Sequence, residues 1–201
     1  MNKKLKIICN GDSWVFGSEI ADPQISMRFD GEVHPGKYDW MEENDNYRIP
    51  KDWYFLKMAN LVSERGTCAR RKVGCILINE RGHVLATGYN GGPAHTEHCI
   101  DTPCPGAHLK SGEGLDICKA IHAEQNALLQ CRNVHDIKLV YTTVSPCIHC
   151  VKLLLNTSAE GIITFEKYVD FDTVGKFWMD NGGQSWAYIN KEIILGKCSS
   201  S

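Results

Sequence analysis

The sequence has no long apolar run. Stretches such as Cys75-Ile76-Leu77-Ile78 fall far short of the about 20 residues that a membrane-spanning helix requires. No secretory leader is expected at the start of this sequence: Met1-Asn2-Lys3-Lys4-Leu5-Lys6-Ile7-Ile8 starts basic but turns polar at Asn10-Gly11-Asp12, too soon for an export signal. A soluble, cytoplasmic protein is expected. Nor does one sign of charge dominate. Lys and Arg number 22 against 24 Asp and Glu, a formal net charge of −2. That argues against a protein whose main task is gripping a nucleic-acid backbone, because such surfaces are strongly basic. Internal repeats and low-complexity tracts are absent apart from the tail Ser199-Ser200-Ser201. With 201 residues the chain can bury roughly 70% of its unfolded surface, so it needs no disulfide scaffold.

Cysteine, by contrast, is plentiful: there are ten. Under reducing conditions metal binding or catalysis outranks disulfides. Cys147-Ile148-His149-Cys150 is a C-x-x-C pair, preceded by Cys68, Cys99, Cys104 and Cys118, with eight histidines available as co-ligands.

Composition shifts near residue 52. Residues 1–50 carry nine acidic and six basic side chains and little periodicity; 5–9 read as a strand and 17–50 as turns and loops broken by Pro23, Pro35 and Pro50. From there Asp52 can N-cap a helix with Phe55, Ala59 and Val62 on one face and Gly66 at its end. Runs 73–79 and 83–89 form a hairpin around Asn79-Glu80-Arg81-Gly82. Residues 90–118 form a long loop that something must pin. A helix over 122–130, a strand over 137–143, a helix over 147–156, a strand over 161–166, a helix over 172–181 and a strand over 186–194 complete the reading. The result is an α/β fold, one mixed five-stranded sheet flanked by helices.

The sharpest constellation is His122-Ala123-Glu124 followed by Pro146-Cys147-x-x-Cys150. One His and two Cys supply three ligands and leave a tetrahedral position open, the pattern of a catalytic rather than a structural zinc. Both segments open predicted helices, whose N-termini favour the thiolates a metal requires. Glu124 lies about 200° around a helix from His122, which removes it from the ligand set and frees it to carry protons. Zinc brings the pKa of water down toward about 7, and a carboxylate beside it could pass a proton from water to a ring nitrogen and then to a departing amine. The order His-x-Glu, then Pro-Cys-x-x-Cys, resembles the signature of zinc nucleobase deaminases, a match of pattern rather than a consequence of spacing.

Four motifs in order sharpen that likeness. Thr67-Cys68-Ala69-Arg70-Arg71-Lys72-Val73-Gly74, Thr87-Gly88-Tyr89-Asn90-Gly91, Ile121 to Ala127 and Pro146 to Cys150 resemble the deoxycytidylate (dCMP) deaminase family over roughly residues 53–170. The resemblance implies a cytidine-deaminase-like three-layer fold over 52–201 and hydrolysis of dCMP to dUMP and ammonia. It implies a catalytic zinc on His122, Cys147 and Cys150, with Glu124 as proton shuttle. It further implies Asn90 at the deoxyribose 3′-hydroxyl, with Arg70 and Tyr168 at the phosphate. Cys68, Cys99, Cys104 and Cys118 could hold a second, structural zinc, with His95, His98 or His108 as possible substitutes for Cys104 or Cys118. The family is commonly a homohexamer, activated by dCTP with Mg2+ and inhibited by dTTP, and the Gly88–Pro93 segment is the expected neighbourhood of the effector. Two other readings stand beside this one: a zinc deaminase acting on a free nucleoside, a tRNA or a single-stranded DNA base, and a non-catalytic zinc-stabilised binding module.

Residues 1–51 lie outside that likeness. Ile7-Ile8-Cys9-Asn10-Gly11-Asp12-Ser13-Trp14 resembles the opening strand and turn of SGNH-type hydrolases, whose serine is a nucleophile. The chain has no Asp-x-x-His to complete such a site, so Ser13 is read as non-catalytic. Trp14, Phe16, Tyr38, Trp40 and Tyr47 give the extension apolar area enough to dock.

Overall fold

The computed structural model describes residues 16–17, 49–110, 112–114 and 116–195. The expected strand at 5–9 and Ser13 lie outside these residues. Along the chain run α1 (Lys51–Ser63), β2 (Gly74–Ile78), β3 (Val84–Tyr89), α2 (Ala123–Gln130), β4 (Leu139–Thr142), α3 (Ile148–Leu154), β5 (Gly161–Thr164), α4 (Phe171–Asp180), β6 (Ser185–Tyr188) and α5 (Lys191–Leu195). Before them a two-residue strand, β1 (Phe16–Gly17), adds to the five expected strands. The sheet order is β1-β6-β5-β4-β2-β3. β4, β5 and β6 are parallel, whereas β1 on β6 and β2 on both β3 and β4 are antiparallel.

The period of two along each strand divides the interior into two cores. Cys75, Leu77, Val140, Ile162 and Trp186 face one side, where Ala123 and Ala127 of α2, Val151 and Leu154 of α3, and Val174 and Trp178 of α4 cover them. Ile76, Ile78, Tyr141, Ile163 and Ala187 face the other, against Phe55, Leu56 and Ala59 of α1 and Ile194 of α5. Because β2 is central and covered on both faces, all five of its residues are buried and its sequence shows no polar alternation. The result is the expected three-layer fold. Helices α3 and α4 lie on the same face because both are crossovers between parallel strands progressing in one direction along the sheet, and such crossovers share one hand.

Two expectations are corrected. Asp52 does not cap α1. Pro50 stands at that position, and Asp52 instead accepts a 2.6 Å hydrogen bond from the Tyr141 hydroxyl, tying α1 to β4. The final strand ends at Tyr188. Asn190 then accepts from the backbone N–H of Glu192 through its side chain and starts α5, an asparagine turn that competes with further pairing. The hairpin turn forms as expected: Asn79 Oδ1 accepts from the N–H groups of Arg81 and His83, and Gly82 adopts φ 76°.

The long loop is closed at its neck. Gly91 and Ile121 exchange backbone hydrogen bonds of 3.1 and 2.8 Å, while Thr67 ties to Asn90 and Ile100 to Thr67. Those bonds place the end of the loop, and with it His122, at the foot of α2. The approach of α2 to β3 is equally tight. A β-carbon at Gly88 would lie 2.2 Å from Ala123 O and 2.3 Å from Ala127 N. Gly88→Ala should therefore push α2 off the sheet and destabilise the fold by about 2–3 kcal/mol, whereas Gly82→Asn, at an open turn tip, should be near neutral. Thermal unfolding of the two variants beside the parent checks the contrast.

Candidate metal centre and catalytic cleft

Helices α2 and α3 begin at the same place. His122 is the N-cap of α2 and Cys147 the N-cap of α3, with Cys150 in the first turn beyond. The Gln125 side chain accepts from the His122 backbone N–H at 2.8 Å, fixing the histidine's main chain. The α3 start is set by β4: its last residue, Thr142, donates its hydroxyl to Val144 O, and Ser145 N bonds Glu166 O. A turn so braced delivers Cys147 at the carboxyl end of a parallel strand, where open α/β sheets place their ligands.

The His122 Nδ1 atom lies 3.5 Å from Cys147 Sγ and 3.4 Å from Cys150 Sγ. Tetrahedral zinc with the usual Zn–N and Zn–S bond lengths puts such donors about 3.5 Å apart. All three ligand atoms fall within 4.8 Å of one another, the one such group of three or more among the described residues. Soft sulfur with one imidazole is also the donor chemistry zinc takes. The three residues fit the ion.

Electrostatics agree. The Cys147 thiol is lowered to about 3, first by the hydrogen bond with Cys150 and then by His122. Cys150 is pushed up by that same bond and by burial. The pair therefore holds one charge readily and needs a cation to hold two. His122 is raised in turn, chiefly by Cys147. Glu124, only 4% exposed, is held above the usual carboxylate range by burial, with its Oε2 atom 3.5 Å from Cys150 Sγ. Because His122 stands outside α2 in extended conformation, the helical angle expected between it and Glu124 does not apply. The carboxylate is nonetheless outside the ligand group and beside it.

A cleft opens from this cluster, with about 80 Å³ of space for water-sized molecules. Its walls include Arg70, Arg71, Asn90, Glu124 and Tyr168. Asn90 is largely engaged: its Oδ1 accepts from Val73 N and its Nδ2 donates to Arg71 O, leaving one hydrogen and one lone pair for a ligand. Arg70 reaches across to the long loop, where its Nη1 donates to Lys110 O and Glu113 O. Tyr168 is placed by its backbone N–H, which donates to Ser145 Oγ at 2.7 Å.

Of the loop thiols, Cys68 and Cys118 line the same cleft, but none belongs to the His122 group. Cys68, Cys99 and Cys104 are buried and Cys118 partly so. Cys99 Sγ accepts from Cys104 N at 3.5 Å, but the four thiols do not form a group as tight as that at His122 among the described residues. The loop neck and Arg70 also tie this loop down. A β-carbon at Gly88 would meet α2, and one at Gly91 would meet Thr67 Oγ1.

Sequence reasoning missed Gln125, although its place three residues after a cap is a recognisable spacing. It also passed over Arg71, which reads as one charge in an exposed basic run.

Helix N-termini converging on a nitrogen-and-thiolate cluster beside a buried carboxylate, at the strand ends of a three-layer sheet, mark the zinc-dependent deaminase class. Residues 49–166 match the cytidine and deoxycytidylate deaminase zinc-binding region. Deoxycytidylate deaminase of Saccharomyces cerevisiae is 34% identical over 119 residues, covering 58% of this chain and 38% of that protein. The Mycobacterium phage D29 deoxycytidylate deaminase is 37% identical over 121 residues, 56% of this chain and 93% of the phage protein. Among solved structures, dCMP deaminase from cyanophage S-TIM5 in complex with dCMP and dUMP superposes with a TM-score of 0.53 at 25% identity, covering 71% of this chain and all of that one. The chain belongs to the cytidine and deoxycytidylate deaminase family. It spans well under half the length of the yeast proteins it matches.

Substituting Cys150 by Ser should lower bound zinc by about one equivalent per chain, because a three-ligand site cannot spare a thiolate. Metal analysis of the purified variant beside the parent tests this.

Proposed function

We propose that this chain is a zinc-dependent dCMP deaminase, converting dCMP and water to dUMP and ammonia in the cytoplasm. The observation that carries the reading is Glu124: a buried carboxyl with raised proton affinity, outside the ligand group and facing the same cleft. A structural zinc module would have no use for it.

Zinc held by His122, Cys147 and Cys150 would supply Lewis acidity that makes water a nucleophile at neutral pH. The chain's own residues do the rest. Glu124 takes a proton from the attacking water and gives it to pyrimidine N3, then takes the remaining proton from the new C4 hydroxyl and passes it to the amino nitrogen, so that C4=O forms as the C4–N bond breaks and neutral ammonia leaves. Its burial suits this role, since a carboxyl with raised affinity holds the proton between the two transfers. Asn90 and Tyr168 line the part of the cleft available to sugar and phosphate, and the Arg70–Arg71 pair supplies the fixed positive charge that a monophosphate requires.

The remaining elements follow the family likeness. Activation by dCTP with Mg2+, inhibition by dTTP and a homohexameric assembly belong to the proposal, as does a second, structural zinc on Cys68, Cys99, Cys104 and Cys118. Burial of three of those thiols supports the second zinc. So does the lowered Cys104 thiol, held down foremost by the Lys119 backbone and also by Cys99. Residues 1–51 are read as an extension docked on the deaminase domain of 52–201, supported by the pairing of Phe16 and Gly17 with Trp186 and Ser185.

The test is ammonia release by zinc-loaded protein from dCMP, with cytidine and dCTP as parallel substrates, each with and without dCTP and Mg2+ as effector. Turnover of dCMP that rises with the effector and drops about 10²- to 10⁴-fold in Glu124→Gln is expected. Folded, metal-loaded protein that is silent on dCMP would overturn the assignment and send the search to tRNA and single-stranded DNA.

A further inference from the structure

Several hydrogen bonds converge on the main chain at His122, and one comes from a side chain the chemistry does not use. We infer that Gln125 is a positioning residue for the zinc centre: it locks the peptide plane from which His122 projects, and so sets how tightly the site holds its metal. The inference rests on the zinc reading above and adds to it a residue outside the ligand set that governs metal affinity.

His122 stands between the long loop and α2, in extended conformation with φ −73° and ψ 157°. Ahead of it, Ile121 O accepts from Gly91 N at 3.1 Å; behind it, His122 O accepts from Asn126 N at 2.9 Å. The peptide unit joining residues 121 and 122 is planar, so two bonds at its two ends fix its orientation. Gly91 holds the oxygen end. The nitrogen end is held by Gln125, whose Oε1 accepts from His122 N at 2.8 Å. Without that acceptor the plane can pivot about its oxygen, and the His122 ring swings with it.

The site is sensitive to such a swing. Both thiols come from the start of α3, which Ser145 N braces against Glu166 O, so they move as one unit. The histidine is the ligand carried by a different element. Its Nδ1 must meet both sulfurs at once, now at 3.5 and 3.4 Å, and that placement depends on the first turn of α2. The neighbouring side chain is engaged elsewhere: Asn126 Nδ2 donates to Tyr89 O at 2.7 Å, tying the same turn to β3. Gln125 belongs neither to the ligand group nor to the walls of the cleft, so its influence on the metal runs through His122. Glutamine or glutamate three residues past a cap can reach back to the cap N–H, and an apolar side chain there leaves it unpaired. Groups that orient metal ligands in this way set affinity without touching the ion.

The experiment titrates the metal-free full chain with Zn2+ against a competing chelator, and with Co2+, whose absorption reports the geometry of the ligand set. The metal followed is the equivalent missing from Cys150→Ser, which separates this centre from any zinc on the loop thiols. Gln125→Ala should weaken zinc binding roughly 10-fold, the low end of the about 10- to 100-fold range for groups that orient metal ligands, and should alter the Co2+ spectrum. Gln125→Glu, which keeps the acceptor, should bind at least as tightly as the parent. Thr157→Ala removes a hydroxyl that donates to Leu154 O at 2.7 Å just past α3; it should lower the unfolding temperature with zinc affinity unchanged. A merely structural Gln125 would lower the unfolding temperature of metal-free and zinc-loaded protein alike, whereas a positioning residue shrinks the rise that zinc produces. Should Gln125→Ala fail to fold, Gln125→Asn carries the test, since its amide is one methylene too short to reach. Parent-like zinc affinity in folded Gln125→Ala or Gln125→Asn, or a loss in Gln125→Glu as large as in Gln125→Ala, would overturn the assignment alone. A parent that holds no such equivalent would overturn the zinc reading itself, and the positioning role with it.

Discussion

Everything at this site depends on two helices starting within a few ångströms of each other. His122 and Cys147 occupy N-cap positions, so the chain direction of α2 and of α3 is decided at the same atoms that meet across the cluster. A cap residue is extended while the residue after it is helical, which leaves its side chain free to project beyond the helix end. Ligands at such positions are therefore placed by backbone geometry, with no need for long side chains. The two first turns also direct their unpaired N–H groups toward the cluster, offsetting part of the negative charge gathered there.

That charge is the cost of the arrangement. A carboxyl, two thiols and an imidazole are packed against the centre of a sheet, with Cys75 buried close enough to Glu124 for the carboxylate to raise its thiol further. Without a cation the cluster is held together by sharing protons, as the opposed shifts of Cys147 and Cys150 show. A divalent ion replaces that sharing with direct compensation, so metal affinity and the stability of this corner of the fold are one free energy. Glu124 gains from the same setting: the burial that would make an ordinary acid a liability raises this one's affinity for a proton it must both take and give.

Much of this was legible in the sequence. Element order and hairpin position follow from periodicity and from Asn79 and Gly82, and the three ligands with their carboxylate follow from His122-x-Glu124 and Cys147-x-x-Cys150. The misreadings share a cause. Asp52 looked like a cap and Ile189 to Ile194 like strand, because local propensity cannot see that Tyr141 claims the carboxylate or that Asn190 captures Glu192 N. The arginines were unreadable for a related reason: neighbouring residues of one type are distinguished only by what lies across from them, here the carbonyls of Lys110 and Glu113 for one and the ring of Tyr168 for the other.

The neck formed by Gly91 and Ile121 has a consequence for how this scaffold can vary. Once two backbone hydrogen bonds join the ends of a loop, its interior is insulated from the residues that follow it. Doubling the length of such a loop adds only about 0.6 kcal/mol of closure entropy. The segment between the neck residues is in effect an exchangeable cassette: insertions, deletions or wholesale replacement can reshape the roof of the cleft while His122 stays where the chemistry needs it. Substrate range can thus change through a stretch that contributes no ligand to the His122 cluster and no residue to the sheet.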